Sequence, residues 1–280
     1  FPEVYTEEIY DDWKQSVVPD LETFDVSEIG SLGPNVRYFL LEQSMILFGS
    51  YKIIPLFSSM ALLGLTYLFT TSLTKNRFAG LVSMGIVLQS YLFLTFDTSS
   101  TYTTFWILFY VLSLYAVVRL WFTNPVIFAA SVGSKSLTAL FVPMSIFFIL
   151  NSYIPKKQKI ILVGITVVAI TYGSSVMISN GILSEEFMAH EFWTGFSAFA
   201  FSMRFDIITI LFLVPLVFGL FVASKNNRHA NSISVLIGGI LFSAPVLSGL
   251  TIMTNQPYRF LILIVFFAVG VGILFSKKNQ

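Results

Sequence analysis

PVIFAASVGSKSLTALFVPMSIFFILNSY, residues 125–153, is the stretch whose reading decides the fold. It is 29 residues long and almost wholly apolar, longer than the roughly 17 to 25 residues that cross a ~30 Å hydrocarbon core. The polar run Gly133-Ser-Lys-Ser interrupts it. We read two short helices, 125–132 and 137–153, meeting at a polar turn that carries Lys135. The alternative is one long tilted helix with Lys135 buried and paired.

Charge on either side separates the two readings. Apolar runs of spanning length lie at about 53–73, 79–96, 102–118, 160–178, 207–224, 232–252 and 260–275. With residues 1–50 outside and the broken stretch counted as two passes, the inner loops are 74–78, 119–124, 154–159, 225–231 and the C-terminal tail. These hold Lys75, Arg77, Arg119, Lys156, Lys157, Lys159, Lys225, Arg228, Lys277 and Lys278, which is 10 of the 16 basic residues and none of the 15 acidic ones. Short cytoplasmic loops are enriched in Lys and Arg in this way. A single pass through 125–153 would put Lys156, Lys157 and Lys159 outside and invert every later loop. The expectation is an all-α polytopic membrane protein of about nine segments, including the short broken pair at 125–153. Its N-terminus lies outside and its C-terminus in the cytoplasm, as in a multi-pass protein of the cell membrane.

Composition agrees. The chain is 55% hydrophobic and 11% charged, with 30 Phe, and a mean hydropathy of +0.80, against roughly 25% charged residues in a soluble domain. Without cysteine it has no disulfide, thiolate metal site or Cys nucleophile. Phosphate-loop, HExxH, GxSxG and CxxC motifs are missing, and no nucleic-acid partner is expected. The first residue is Phe rather than Met, from which we expect that something N-terminal has been removed or is not represented.

We divide the chain into an exoplasmic acidic loop with an interfacial helix, 1–50, and a transmembrane domain, 51–280, with an outer loop at 179–206. Residues 36–49 have apolar positions at helical spacing broken by Arg37, Glu42 and Gln43, as in a helix lying on a membrane. In Tyr5-Thr-Glu-Glu-Ile-Tyr-Asp-Asp-Trp13, helical spacing puts Glu7 with Asp11 and Glu8 with Asp12, so like charges share a face. Such a cluster binds a cation or supplies a general base; a solvated acidic face is the plain alternative. Ionisable residues at membrane depth are costly, which singles out Lys135 and then Arg259. Arg204 and Lys52 sit near an outer boundary, where snorkelling also accounts for them. Together these cations suit an anionic, lipid-linked phosphate. His190, beside Glu191, is a weak metal candidate, and His229 reads as part of the inner basic loop.

The order of features resembles the membrane core of the C-type glycosyltransferase superfamily, the polyprenyl- or dolichol-phosphate-sugar enzymes that include protein O-mannosyltransferases. Glu7-Glu8-Ile9-Tyr10 with Asp11-Asp12-Trp13 is similar to its acidic pair with a nearby aromatic, although Glu7 stands where the family usually has Asp. Gly33-Pro34 and 36–49 resemble its turn and interfacial helix, Ala130 to Thr138 its small-residue break carrying a Lys, and Tyr258-Arg259-Phe260 its Arg-Phe at the outer start of a late helix. The resemblance implies inverting transfer of a sugar from a polyprenyl phosphate to a hydroxyl or amide acceptor outside the cytoplasm. Glu7 or Glu8, with Asp11 and Asp12 beside them, would serve as general base. Lys135, Arg259 and Arg204 would face the departing phosphate, and Mg²⁺ or Mn²⁺ would suit the acidic cluster. Implied partners are membrane lipids, the lipid-linked sugar and other membrane proteins. A non-catalytic subunit of a membrane complex and a transporter working through Lys135 are the competing readings.

Overall fold

The computed structural model describes residues 13–25, 35–179, 188–204, 206–225, 227–250 and 257–276. Among these, all regular structure is helical. After a π-turn at Trp13–Val17 come α1 (Val18–Thr23), α2 (Asn35–Phe48), α3 (Ile53–Thr74), α4 (Arg77–Gln89), α5 (Tyr91–Phe96) and α6 (Phe105–Arg119). A 3-10 turn at Trp121–Thr123 leads into α7 (Asn124–Ser134). A second, Ser136–Phe141, precedes α8 (Val142–Asn151), followed by α9 (Lys156–Ser179), α10 (Ala189–Met203), α11 (Ile207–Ala223) and α12 (Arg228–Leu250). A third 3-10 turn, Pro257–Phe260, opens α13 (Leu261–Phe275). Two of the described helices, Ile53–Thr74 and Tyr258–Phe275, are long and apolar enough to cross a membrane, and Arg77–Gln89, Phe105–Arg119, Leu137–Asn151 and Ile207–Ala223 are apolar but shorter.

Helix α13 is the axis of the bundle. Nearly every one of its side chains is buried, against α3, α4, α11 and α12. Close approach requires its small residues: a methyl group on Gly272 would run into Ser83, Thr70 and the Ala79 carbonyl, 2.9 Å away. Ser83 Oγ, buried in α4, donates to the Ala268 carbonyl at 2.8 Å, so this buried hydroxyl is satisfied across the contact. Helix α11 shows the opposite arrangement. Thr209, Leu213, Leu216 and Leu220 face inward at helical spacing, while Leu211, Phe212, Phe218 and Phe221 are exposed although no less apolar.

Helices α3 and α4 form a hairpin. Lys75 takes the left-handed conformation (φ 57°) and donates its N–H to Thr71, and Asn76 caps α4 by accepting from Phe78 N–H at 2.9 Å. The run 79–96, expected as one segment, is two helices. Ser90 is extended, its hydroxyl accepts from Phe93 N–H, and the Asp206 carboxylate accepts from the N–H groups of Tyr91 and Leu92 at 3.1 and 3.0 Å. These bonds satisfy the free donors of a new helix start, which an apolar pattern alone does not reveal.

The stretch 125–153 breaks at Lys135, whose backbone is extended (φ −162°, ψ 119°). The chain then returns to the end it left. Tyr153 and Ile154 line the same cavity as Val118 near the close of α6, whereas Lys135 lies against Trp106 at the opening of α6. That cavity, about 1500 Å³, is formed at the closing ends of α3, α6, α11 and α13.

Candidate anion site at one end of the bundle

Lys135, Arg259 and Arg37 come together where α6 and α13 open. The polar break puts Lys135 at the end of α7, where its N–H still bonds the Ser131 carbonyl while the Ser131 hydroxyl donates to the Trp106 carbonyl at 2.6 Å. This ties α7 to the start of α6. The Lys135 ammonium lies 3.7 Å from the centre of the Tyr258 ring and 5.9 Å from that of Trp106, within cation–π range of both. Tyr258 stacks on Tyr102 at 4.4 Å, and Phe96 meets both rings edge-on. The result is an aromatic floor beneath a cation.

Arg259 follows Tyr258 in the 3-10 turn and is 6% exposed. Arg37 arrives from α2, with its guanidinium donating to the carbonyls of Ser100 and Thr101. Both arginines lie near enough to act electrostatically on Lys135, and both also act on Tyr102. Helix α2 reaches this place because α7 is narrow where they cross: a Cβ on Gly133 would sit 2.9 Å from Val36. At its far edge α2 is held by the Tyr38 hydroxyl, which donates to the Asp20 carboxylate. Burial and that bond push the Tyr38 phenol up to about 12, so the proton stays on the tyrosine. Burial also draws Arg37 below its ordinary value, with Tyr38, Asp20 and Tyr102 acting the other way.

The hydrogen-bonding balance is one-sided. Among the described residues, buried Nε and Nη1 of Arg259, Nε of Arg37 and Nε1 of Trp106 find no acceptor. Each buried donor left unmade costs about 1–3 kcal/mol, more when charged. A lysine, two guanidinium groups and an indole N–H thus gather with donors in surplus among the described residues, an arrangement that suits a multiply charged oxyanion.

Of the residues expected from sequence, Lys135 and Arg259 meet here. Arg204 is exposed beyond the end of α10 and is not among the charges acting on Lys135. Glu7, Glu8, Asp11 and Asp12 lie outside the described residues. Among the described residues no group of three or more His, Asp or Glu side chains gathers as a metal site would, and His190 is exposed. Arg37, Trp106, Tyr102 and Tyr258 were missed as site residues; the available signal was an Arg within an otherwise acidic segment and aromatics at two helix openings. His229, read from sequence as part of the inner basic loop, is 6% exposed, and burial with Lys75 nearby pushes it down to about 4. No family model, curated protein or solved structure matches the chain.

Proposed function

We propose that this chain is a multi-pass protein of the cell membrane that binds a polyprenyl-phosphate-linked sugar at its outer end and transfers the sugar, with inversion, to an acceptor outside the cytoplasm. The observation that carries this reading is the acceptor-poor cluster of Lys135, Arg259 and Arg37 over the Tyr258–Tyr102 floor. Phosphate oxygens supply the missing acceptors, and the rings suit the apolar start of a prenyl chain or a sugar face.

The nine-segment topology is supported by the basic inner loops and by the reversal at Lys135, which suits two passes through the broken stretch. The exposed apolar face of α11 supports a hydrocarbon surround, since water disfavours such a surface and lipid does not. Helices of 10–17 residues are short for a span, and at 125–153 the 3-10 turn lengthens one of them.

In the transfer itself the acceptor oxygen or nitrogen attacks the anomeric carbon, the bond from that carbon to the phosphate oxygen breaks, and the acceptor proton passes to a carboxylate. Glu7 or Glu8 fills that role by the family resemblance. Lys135 and Arg259 stabilise the negative charge gathering on the phosphate as it leaves.

Binding of polyprenyl phosphate to the purified protein tests the site. Saturable binding is expected, weakened at least tenfold by Lys135→Ala and by Arg259→Ala; no saturable binding removes the proposal. Loss of sugar transfer in Glu7→Gln or Glu8→Gln, with lipid binding kept, separates catalysis from binding.

A further inference from the structure

The cavity at the opposite end of the bundle holds two polar atoms that no described residue satisfies. His229 and Ser72 both line it, are 6% and 4% exposed, and leave Nδ1 and Oγ, respectively, without a hydrogen-bond partner. Lys75 and Lys225 stand exposed on its rim, and apolar side chains such as Val222 and Leu274 complete the wall. The imidazole is set in place from several sides. Its backbone N–H donates to the Asn227 side chain, its ring lies 5.2 Å from that of Tyr153 at a steep angle, and Phe148 closes another side at 6.2 Å.

We infer that this cavity is a second ligand site, taking a phosphodiester headgroup that also carries a free hydroxyl, presented by an anionic glycerophospholipid. The division of labour follows from the groups. Lys75 and Lys225 attract the phosphodiester anion, and Ser72 donates to one of its oxygens. His229, a neutral acceptor at Nδ1, receives the headgroup hydroxyl, and the apolar wall continues into the acyl chain. A choline headgroup fits poorly, because it brings a third cation toward two lysines and has no donor for His229. The pushed-down basicity of His229 agrees with a neutral acceptor there, under the repulsion of Lys75.

This site is distinct from the cluster at Lys135. The lining residues come from the closing turns of α6 and α13, whereas Trp106 and Tyr258 come from their opening turns. At about 1.5 Å per residue the two lie roughly 20 Å apart. The inference rests on the membrane reading proposed above but not on sugar transfer.

The test uses the full chain in detergent with four probes: phosphatidylglycerol, phosphatidylmethanol, phosphatidylcholine and water-soluble glycerol 1-phosphate. Phosphatidylglycerol is expected to bind saturably and phosphatidylmethanol about five- to tenfold more weakly, as suits the loss of one hydrogen bond, while phosphatidylcholine does not saturate. His229→Phe, which keeps the ring, should erase the difference between the two anionic lipids and leave phosphatidylmethanol unchanged. Lys225→Gln, at an exposed position, should weaken both. Equal binding of phosphatidylcholine, or a phosphatidylglycerol preference that survives His229→Phe, overturns the site. Tight binding of glycerol 1-phosphate overturns the lipid as its source. Polyprenyl phosphate, run in parallel on the same variants, should bind as in the wild type, so failure here and failure at the Lys135 cluster are told apart.

Discussion

The two ends of the bundle are both basic, yet their cations answer to different causes. At the closing end Lys75 and Lys225 are exposed, as loop charges that hold a membrane protein's orientation would be. At the opening end Lys135 is packed against the Tyr258 and Trp106 rings, near the buried Arg259 and Arg37, whose side chains keep donors that no described residue accepts. A charge that only orients a helix has no reason to bear that desolvation. Residue type says little here, and hydrogen-bonding balance says much.

Helix α13 joins the two ends, and breaking it should produce the largest effect. In Gly272→Leu a branched side chain must enter space already held by Ser83, Thr70 and the Ala79 carbonyl. Overpacking of this kind typically costs about 1–3 kcal/mol, and backbone contact puts this site at or above the upper end. We expect a lowered Tm in thermal scanning and loss of both anionic probes together. If one end kept its ligand, the ends would be separately folded units and the comparison would be between two modules.

Acid should act on the closing end first. His229 is pushed down from its ordinary 6.5 to about 4, and it precedes the apolar run that begins at 232. Between those values the unfolded chain takes up a proton that the folded chain refuses, so folding stability falls as pH drops from about 6.5 toward 4, by at most about 3 kcal/mol from this group. Tm measured across that window should fall less steeply in His229→Phe than in the wild type. Identical slopes would mean that His229 is solvated like the neighbouring lysines.

At the opening end stability and binding should part company. Arg259→Met removes two unsatisfied donors while keeping much of the apolar stem, so the ligand-free protein should be no less stable, and more stable by about 1 kcal/mol or more. Polyprenyl-phosphate binding should nevertheless weaken by roughly ten- to a hundredfold, the range expected for one charge-assisted hydrogen bond. A loss of stability without a loss of binding would make Arg259 a structural residue. The same change at Lys225 should leave Tm unmoved.

How much of this was legible follows from where each cause lies along the chain. The break at Lys135 could be read because Gly133, Ser134 and Ser136 interrupt an apolar run locally, and Arg259 because a cation at a helix opening is conspicuous. The division at Ser90 could not, since the carboxylate that caps α5 belongs to Asp206, 114 residues beyond Leu92. Arg37 stood in plain view, but its place beside Lys135 depends on α2 crossing α7 at Gly133. The setting of His229 was hidden for the same reason: its place in a basic loop does not show that Phe148 and Tyr153 pack around it. Local chemistry was visible in the sequence, and convergence was not.

The smallest expected effect concerns how α2 is held over the opening end. Tyr38 donates to Asp20, and its proton is retained up to about 12, so the bond persists at any pH where binding is measured. Tyr38→Phe keeps the ring, which packs with Leu41, Val17 and Phe105, and removes only this bond, for a cost of about 1 kcal/mol. If α2 serves mainly to carry Arg37 to the cluster, part of that loss should reappear as a two- to fivefold weaker affinity for polyprenyl phosphate, while phosphatidylglycerol binding at the other end stays as it was. Because Arg37 also holds the carbonyls of Ser100 and Thr101, it is anchored from both sides, and a loss equal to that of Arg259→Met would mean that the Tyr38 bond, rather than those carbonyls, fixes the guanidinium. Affinity unchanged within error would place the anchoring of the guanidinium entirely on the Ser100–Thr101 side.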